Sequence, residues 1–396
     1  MTGTPPLYTP EFLRACGLHF AGAMSLALFL LFPLYVKALG GSEVTIGLVL
    51  GVGTAASVAA RPAVGLLLDR LGRRRVLVWC GLGNVFSWIP FFFLTAVGPA
   101  LYFWTMLHEV VWGALFAAYF TYAADLAPAE RRAEGIAIFG VAGMSANGLA
   151  PILGERVIVD AGFPAYLGLA MGLGVVAVLL SLRVPSKAPV HVQGTAPSFR
   201  DVVRLAGHPG LVNIMLATAI LGVAINAAYF FVAPYVHERG LAAAAPFFAA
   251  YSATSVVIRL FGRRTLDVLG PHRVSGPGFV SFAVGLMALA ALPLVGGAQA
   301  TAVLMVAGMA CGAGHGSLFP VLNAIAVARA PAGKQGAVVG LHTAAIDAGA
   351  VIGTPLCGVV AGWLGYPAMY AVMGLASLGG LGLMARDGRV TEEGAG

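Results

Sequence analysis

Six side chains that can carry a proton or a charge fall inside long apolar runs of this sequence. Ionisable groups are costly within a bilayer, so those that occur there are functional candidates. The carboxyl groups of Glu109 and Asp347 could exchange protons, and the imidazole of His315, which glycines flank, could carry a proton or bind a ligand. The alternative for Asp347 is a hydrogen-bonded structural side chain that holds its helix against the neighbouring helices, and His19 and His342 are expected to be packed or interfacial. The six are His19, His108, Glu109, His315, His342 and Asp347.

One of these runs places a carboxylate beside aromatic rings. Glu109, Trp112, Phe116 and Tyr119 are spaced i, i+3, i+7 and i+10, which puts them on one face of a helix. A carboxylate above aromatic rings suits a cationic or amphipathic ligand, through ion pairing and cation–π contact. The alternative is an aromatic packing stripe or an interfacial belt.

The residue patterns give no support to several other chemistries. The four cysteines form no CxxC pair, so we expect neither a metal site nor a disulfide. His108 and Glu109 begin like the zinc-protease HExxH motif, but Trp112 stands where the second histidine would be. The sequence contains no GxxxxGK[ST] phosphate loop. We therefore expect no enzyme activity, no cofactor and no ATP-driven pumping.

The composition is that of a membrane protein. Hydrophobic residues make up 59% of the chain and charged residues 10%, against about 45–50% and about 25% in soluble domains. A membrane-spanning helix needs about 20 apolar residues. We predict an all-α membrane protein with twelve transmembrane helices, at 12–36, 44–68, 76–97, 100–124, 134–158, 163–182, 211–236, 242–261, 274–294, 299–327, 336–360 and 367–385.

The positions of the basic residues orient these helices. With both termini in the cytoplasm, twenty of the 23 Lys and Arg residues fall on the inner side and only Lys37, Arg156 and Arg239 on the outer side. Such an excess is typical of cytoplasmic loops. The net charge of +7 is therefore a topology signal and does not indicate nucleic-acid binding. We predict a multi-pass protein of the bacterial inner (plasma) membrane with cytoplasmic termini.

A polar stretch divides the predicted helices into two sets of six. Residues 183–208 contain Pro, Gly, Ser and several basic residues, which is typical of a linker. We predict an N-terminal six-helix bundle at 1–182, a cytoplasmic linker at 183–208, and a C-terminal six-helix bundle with a short tail at 209–396. Residues 198–205 form either a short amphipathic surface helix or part of a solvated linker.

The two halves share an internal repeat. Arg61, Asp69, Gly72 and Arg75 recur 198 positions later as Arg259, Asp267, Gly270 and Arg273. A second pair, APAERR from Ala127 and APAGK from Ala330, is separated by 203 positions. Repeated halves that enclose a site near the bilayer midplane are typical of secondary transporters. We therefore expect two pseudo-symmetric bundles.

The run from Gly65 to Arg75, GLLLDRLGRRR, resembles the loop 2–3 signature of the major facilitator superfamily. The resemblance implies the fold of that superfamily and transport by alternating access. The charges of the repeat could form a latch that breaks when the halves rock, or they could only anchor the loops and set the topology. The latch candidates are Arg61, Gly65, Asp69, Gly72, Arg73, Arg75, Arg259, Asp267, Gly270 and Arg273.

The fifth predicted helix resembles a Gly/Pro-rich motif of drug/proton antiporters, at Gly143, Gly148, Pro151 and Gly154. Close helix packing is the alternative explanation. The fourth helix departs from the antiporter pattern because it contains no Lys or Arg. The resemblance also implies that helices 1, 4, 7 and 10 line the substrate cavity. The cavity candidates are His108, Trp112, Phe116, Tyr119, Asn226, Tyr229, His315 and Phe319.

These observations favour a proton-coupled exporter of a small organic molecule, with Glu109, Asp347 or His315 as the proton-coupling residue. The alternative is a proton-coupled uptake symporter for a sugar, an organic anion or another metabolite on the same fold. We expect a monomer in the lipid bilayer with a small-molecule substrate and no nucleic-acid partner.

Overall fold

The structure is a computed structural model that describes residues 6–128, 131–185, 204–262, 269–331 and 334–393. The side chains of Asp69 and Ala133 and those of residues 388–393 lie outside the description. All regular secondary structure in the described residues is helical, as the composition predicts. Nine helices in these ranges are long and apolar enough to cross a membrane, and a shorter apolar helix lies at Ala245–Phe261.

The helices of the first half begin near their predicted positions. They are α1 at Pro10–Ala38, α2 at Glu43–Leu71, α3 at Arg73–Trp88, α4 at Pro99–Leu126, and Arg132–Ser181, which a kink divides into α5 at 132–161 and α6 at 163–181. The third helix was predicted to reach residue 97. It ends earlier because a 3-10 turn that contains a proline, Ile89–Phe92, follows it.

The second half repeats this order. Its helices are α7 at Pro209–Glu238, α8 at Ala245–Phe261, α9 at Pro271–Ala290, α10 at Gly297–Ala328, and Gln335–Glu393, which a kink divides into α11 at 335–364 and α12 at 366–393. Of the predicted linker, residues 186–203 lie outside the described residues, and with them most of the possible surface helix at 198–205.

Glycines in the left-handed region mark matching points of the two halves. Gly162 (φ 77°) separates α5 from α6, and Gly365 (φ 82°), 203 positions later, separates α11 from α12. Gly72 and Gly270 of the 198-residue repeat both have φ 76° and open α3 and α9. A side chain at any of these positions would be strained. The kinks at Gly162 and Gly365 divide two of the nine long apolar helices. With the shorter helix at Ala245–Phe261, the described residues therefore contain twelve apolar helical segments.

The chain forms two compact units, residues 1–41 with 52–192 and residues 42–51 with 193–396. The division after residue 192 lies inside the predicted linker. The grouping of residues 42–51 with the second unit was not predicted. It arises because the start of α2 packs against α11, where a Cβ on Gly47 would come 2.7 Å from the carbonyl oxygen of Thr354.

Candidate functional site

The Glu109 carboxylate lies in the contact between α4 and α2. Glu109 is only 8% exposed. A Cβ on Gly53 of α2 would lie 2.8 Å from the Glu109 Cγ and 3.2 Å from Thr105. The glycine therefore makes room for the acid, and the close approach of the two helices fixes the position of the carboxyl group.

The aromatic face predicted on α4 divides into two parts. Trp112 and Phe116 stack with ring centroids 5.4 Å apart and planes 14° apart, and Phe120, which was not predicted, continues the row 4.6 Å from Phe116. Tyr119 is instead buried against α1, with its ring 5.2 Å from that of His19. Trp112, Phe116 and Phe120 follow one another at i+4 along a single ridge of the helix, whereas Tyr119, at i+3 from Phe116, lies on the other side of that ridge.

His108 is part of an aromatic cluster. Its Nδ1 shares a 2.8 Å hydrogen bond with the Ser87 hydroxyl, and its ring stacks on Phe29 at 4.4 Å and lies edge-on to Trp88 at 4.7 Å. The residue is fully buried. This side of α4 contacts α1 and α3, so the structure separates His108 from its sequence neighbour Glu109. These contacts fit a packing role better than the predicted cavity role.

A second polar and aromatic group lies between α7, α8 and α10; we call Tyr229, Tyr251, Arg259, His315 and Phe319 the second-half cluster. The Tyr251 hydroxyl and His315 Nδ1 share a 2.8 Å hydrogen bond. The rings of Tyr229 and Tyr251 are 4.9 Å apart, and His315 is 6.3 Å from Phe319. Three predicted cavity residues, Tyr229, His315 and Phe319, therefore come together.

Two members of this cluster were missed or given another role by the sequence analysis. Tyr251 was not singled out, although it lies two helical turns before Arg259 on α8 and so shares its face. Arg259 was predicted to belong to the latch. Its guanidinium carbon instead lies 5.6 Å from the centre of the Phe319 ring.

The remaining predicted polar residues of the second half lie on α7 and α11. Asn226 donates a 2.9 Å hydrogen bond to the carbonyl of Gly222 in its own helix. His342 shares a 3.2 Å hydrogen bond with Thr218, and its ring is 5.4 Å from that of Phe319. Asp347 is half-buried on α11, next to Ile346, whose backbone packs against Gly222 of α7.

The predicted latch is described only in part. Asp267 and the side chain of Asp69 lie outside the described residues. Arg73 pairs with Asp125 at 2.8 Å and also donates a hydrogen bond to the Leu68 carbonyl at 3.1 Å. Arg75 and Arg273 are exposed, and a Cβ on Gly65 would meet open space. Asp125, at the end of α4, is thus an ion-pair partner that the repeat did not reveal.

The second half contains a more buried ion pair, Arg329–Asp387. We call this pair and Arg73–Asp125 the charge anchors of the two halves. Arg329 Nη1 contacts Asp387 Oδ1 at 2.6 Å, with Asp387 only 5% exposed. The same nitrogen donates to the Gly210 carbonyl, and His272 Nδ1 lies 4.0 Å from Asp387. The anchor ties the ends of α10 and α12 to the starts of α7 and α9. Its signal in the sequence is the scarcity of carboxylates, since Asp387 is a lone acid after a long apolar run.

The Gly/Pro motif of α5 faces α1. A Cβ on Gly143 would lie 2.9 Å from the His19 ring, and one on Gly154 would lie 2.7 Å from Leu28 and Leu31. Gly148 is buried, and Pro151 lies inside the helix. Small residues therefore let α5 approach α1 closely. Within the described ranges, no group of three or more His, Cys, Asp or Glu residues could hold a metal ion.

The chain is similar to known membrane transporters over most of its length. The model of the Major Facilitator Superfamily matches residues 15–274 and 247–394. The MFS-type transporter YhhS of Escherichia coli strain K12 is 27% identical over 373 residues, which cover 91% of this chain and 88% of that protein. The Salmonella typhi protein of the same name is 26% identical over 375 residues, with the same coverage.

Solved transporters share the fold. A nucleoside transporter NupG variant matches with a TM-score of 0.82 and 14% identity, over 95% of this chain and 99% of that one. A peptide transporter POT variant matches with a TM-score of 0.78 and 16% identity, over 96% and 95%. The human organic anion transporter MFSD10 has a TM-score of 0.67 and 18% identity, over 95% and 100%. Since the family model spans both halves, the chain belongs to the Major Facilitator Superfamily, as its loop 2–3 motif predicted.

Proposed function

We propose that this transporter exports a small organic molecule in exchange for protons, by alternating access across the bacterial inner membrane. Because the chain belongs to this family, it is a membrane transporter that works by secondary transport, and it is not an enzyme. Beyond what the family shows, we propose that protons are the coupling ion, that transport is directed outward, and that the protein lies in the inner membrane. Both termini lie in the cytoplasm, and the monomer is the working unit.

The position of Glu109 between α2 and α4 is the main observation in support of proton coupling. Its carboxyl group is held in the α2–α4 contact by the space at Gly53 and has little exposed surface. A carboxylate buried between two membrane helices is costly when charged, so binding a proton there changes the stability of the contact. A group of this kind can link protonation to a change of conformation.

Two further features support export and orientation. The close α5–α1 contact at Gly143 and Gly154 fits the Gly/Pro motif by which the chain resembles drug/proton antiporters. The concentration of Lys and Arg in the predicted inner loops supports cytoplasmic termini. Asp347, half-buried on α11, is the second coupling candidate.

The test uses purified protein in liposomes that enclose a pH-sensitive dye. An inward-directed or outward-directed pH gradient is imposed, and a panel of small organic cations, neutral molecules and anions is added. Wild-type protein, Glu109→Gln and Asp347→Asn are compared. We expect at least one compound to trigger proton movement with wild-type protein, and Glu109→Gln to abolish it while exchange of the labelled compound at zero gradient continues.

Asp160→Asn is the matched control, because Asp160 is an exposed carboxylate paired with Arg156. It should behave as the wild type does. Labelled flux that ignores the pH gradient, or coupling that survives both Glu109→Gln and Asp347→Asn, would refute the proton mechanism. Accumulation driven in the same direction as the protons would refute export and support an uptake symporter.

A further inference from the structure

Arg259 places a half-buried guanidinium in the second-half cluster. The Nε atom is buried and has no hydrogen-bond partner among the described residues. Its electrostatic neighbours are the phenols of Tyr229 and Tyr251. Arg73, Arg131, Arg156 and Arg329 each pair with a carboxylate instead. The Nε–H group of Arg259 therefore remains available to an anion.

The packing around Arg259 fixes its position. Gly316 of α10 lies against Ser255 of α8, where a Cβ would come 3.1 Å from the Ser255 Cα. The Ser255 hydroxyl donates a 2.8 Å hydrogen bond to the carbonyl of Gly312. These contacts lock α8 to α10 one turn before Arg259, and the Phe319 ring supports the guanidinium face. The donors are therefore pre-organised and lose little freedom when an anion binds.

Polar groups next to Arg259 could complete such a site. Tyr251 and His315 share a hydrogen bond, so the phenol and the imidazole are held in a fixed relation. Tyr229 lies 4.9 Å from Tyr251, ring to ring. A guanidinium offers five N–H donors in a planar arrangement that matches a carboxylate, sulfonate or phosphate group. Cation–π contact with Phe319 leaves the edge of that plane, where the N–H groups lie, available to the ligand.

We propose that Arg259, together with Tyr251 and His315, binds the anionic group of the transported molecule, so that the substrate is a small organic anion. The inference rests on the proposed transport function for its physiological meaning, but it concerns binding alone. It also gives Arg259 a role other than the latch to which its repeat position assigned it. The same chemistry could be supplied by an anionic lipid headgroup, which the test must separate.

The first experiment measures ligand protection of the purified protein in detergent, with no pH gradient. Thermal unfolding is followed with benzoate, benzenesulfonate and inorganic phosphate, and with uncharged benzamide, at ionic strength matched with chloride. We expect the organic anions to raise the Tm of the wild type and benzamide to have no effect. Arg259→Met should remove the shift, and Arg259→Lys should weaken binding by about tenfold or more, because the planar donor pair is lost.

A second readout needs no ligand. A guanidinium whose Nε has no hydrogen-bond partner among the described residues adds little to the stability of a fold. Arg259→Met should therefore leave the Tm of the ligand-free protein unchanged or higher. Arg329→Met, which breaks the pair with Asp387, should lower it. Arg156→Met is the control for a surface arginine and should keep both the wild-type Tm and the response to anions.

Three results would overturn the proposal. They are a wild type that the organic anions protect no better than benzamide does, an Arg259→Met protein that they still protect, and a ligand-free Arg259→Met protein that loses as much stability as Arg329→Met. Protection by phosphatidylglycerol but by none of the water-soluble anions would assign the site to lipid. Glu109→Gln should keep the anion response, so failure of proton coupling and failure of this proposal are distinguishable.

Discussion

The contact between α2 and α4 in the first half and the contact between α8 and α10 in the second half use the same small residues. Gly113 lies against Ser57, and Gly316 lies against Ser255. The serines are 198 positions apart and the glycines 203, the two separations of the internal repeat. The repeated pairs let the helices approach closely in each half.

The polar groups beside these contacts differ. In the first half Gly53 of α2 makes room for Glu109 of α4. At the corresponding positions of the second half, the small and the large residue are exchanged. Tyr251 of α8 stands where the first half has Gly53, and Gly312 of α10 stands where it has Glu109. Trp112 is likewise replaced by His315, while Phe116 is matched by Phe319. One scaffold thus presents a carboxylate with aromatic rings in one half, and an arginine with phenols and an imidazole in the other.

The two helix contacts therefore differ in the function that we propose for each. A Cβ on Gly316 would meet the backbone of Ser255, and one on Gly113 would meet the hydroxyl of Ser57. Both contacts therefore require small residues, whereas the neighbouring positions differ in their chemistry. We therefore assign proton coupling to the first-half contact and anion binding to the second-half cluster. The following predictions test this difference, from the largest expected effect to the smallest.

The charge anchors of the two halves should contribute unequally to stability. Asp387→Asn leaves Arg329 without its charged partner in a buried setting and should lower the free energy of unfolding by about 3 kcal/mol. Asp125→Asn breaks a pair whose acid is 39% exposed, and should cost about 1 kcal/mol or less. Thermal unfolding in detergent measures both. Equal losses would show that burial does not distinguish the two anchors.

The helix contacts should differ in their tolerance of an added methyl group. A Cβ on Gly312 would meet the backbone of Tyr251, which cannot move aside, whereas one on Gly113 would meet mainly the Ser57 hydroxyl, which can rotate. Gly312→Ala should therefore cost about 1–3 kcal/mol, and Gly113→Ala less. The Tm values of the two variants test this. A more damaging Gly113→Ala would reverse our ranking of the contacts.

Each half contains a histidine whose Nδ1 shares a hydrogen bond with a hydroxyl group. Tyr251→Phe removes the partner of His315, and Ser87→Ala removes the partner of His108. Each should cost about 1 kcal/mol of stability, but only Tyr251→Phe should also weaken the protection by benzoate. Titration of benzoate against both variants separates a binding histidine from a packed one. An equal benzoate response would argue that both histidines are structural.

The ring pairs should give the smallest effects. Phe116→Leu removes the stack on Trp112, and Phe319→Leu removes the ring beneath Arg259. Each should cost about 0.5–1 kcal/mol. The benzoate affinity should fall only in Phe319→Leu, because the orientation of the guanidinium depends on that ring. A fall in both variants would mean that the two aromatic rows serve one ligand.

Much of the fold was predictable from the sequence because apolar length, basic loops and repeated residues act locally or along the helix. The all-helical membrane architecture and the family follow from these signals. Helix ends were less predictable, as at residues 89–92, where a proline turn ends α3 early. The start of α2 grouped with the second unit because of packing against α11, a contact that no local pattern encodes.

For the site, the sequence by itself determined which residues could do chemistry, since an ionisable group in an apolar helix is recognisable from its surroundings in the chain. Only the tertiary structure decided which of them share a site. It separated His108 from Glu109 and Tyr119 from Phe116, and it placed the guanidinium of Arg259 over the ring of Phe319. Helix spacing fixes the face on which a residue lies, but the neighbour that this face meets depends on how distant segments pack.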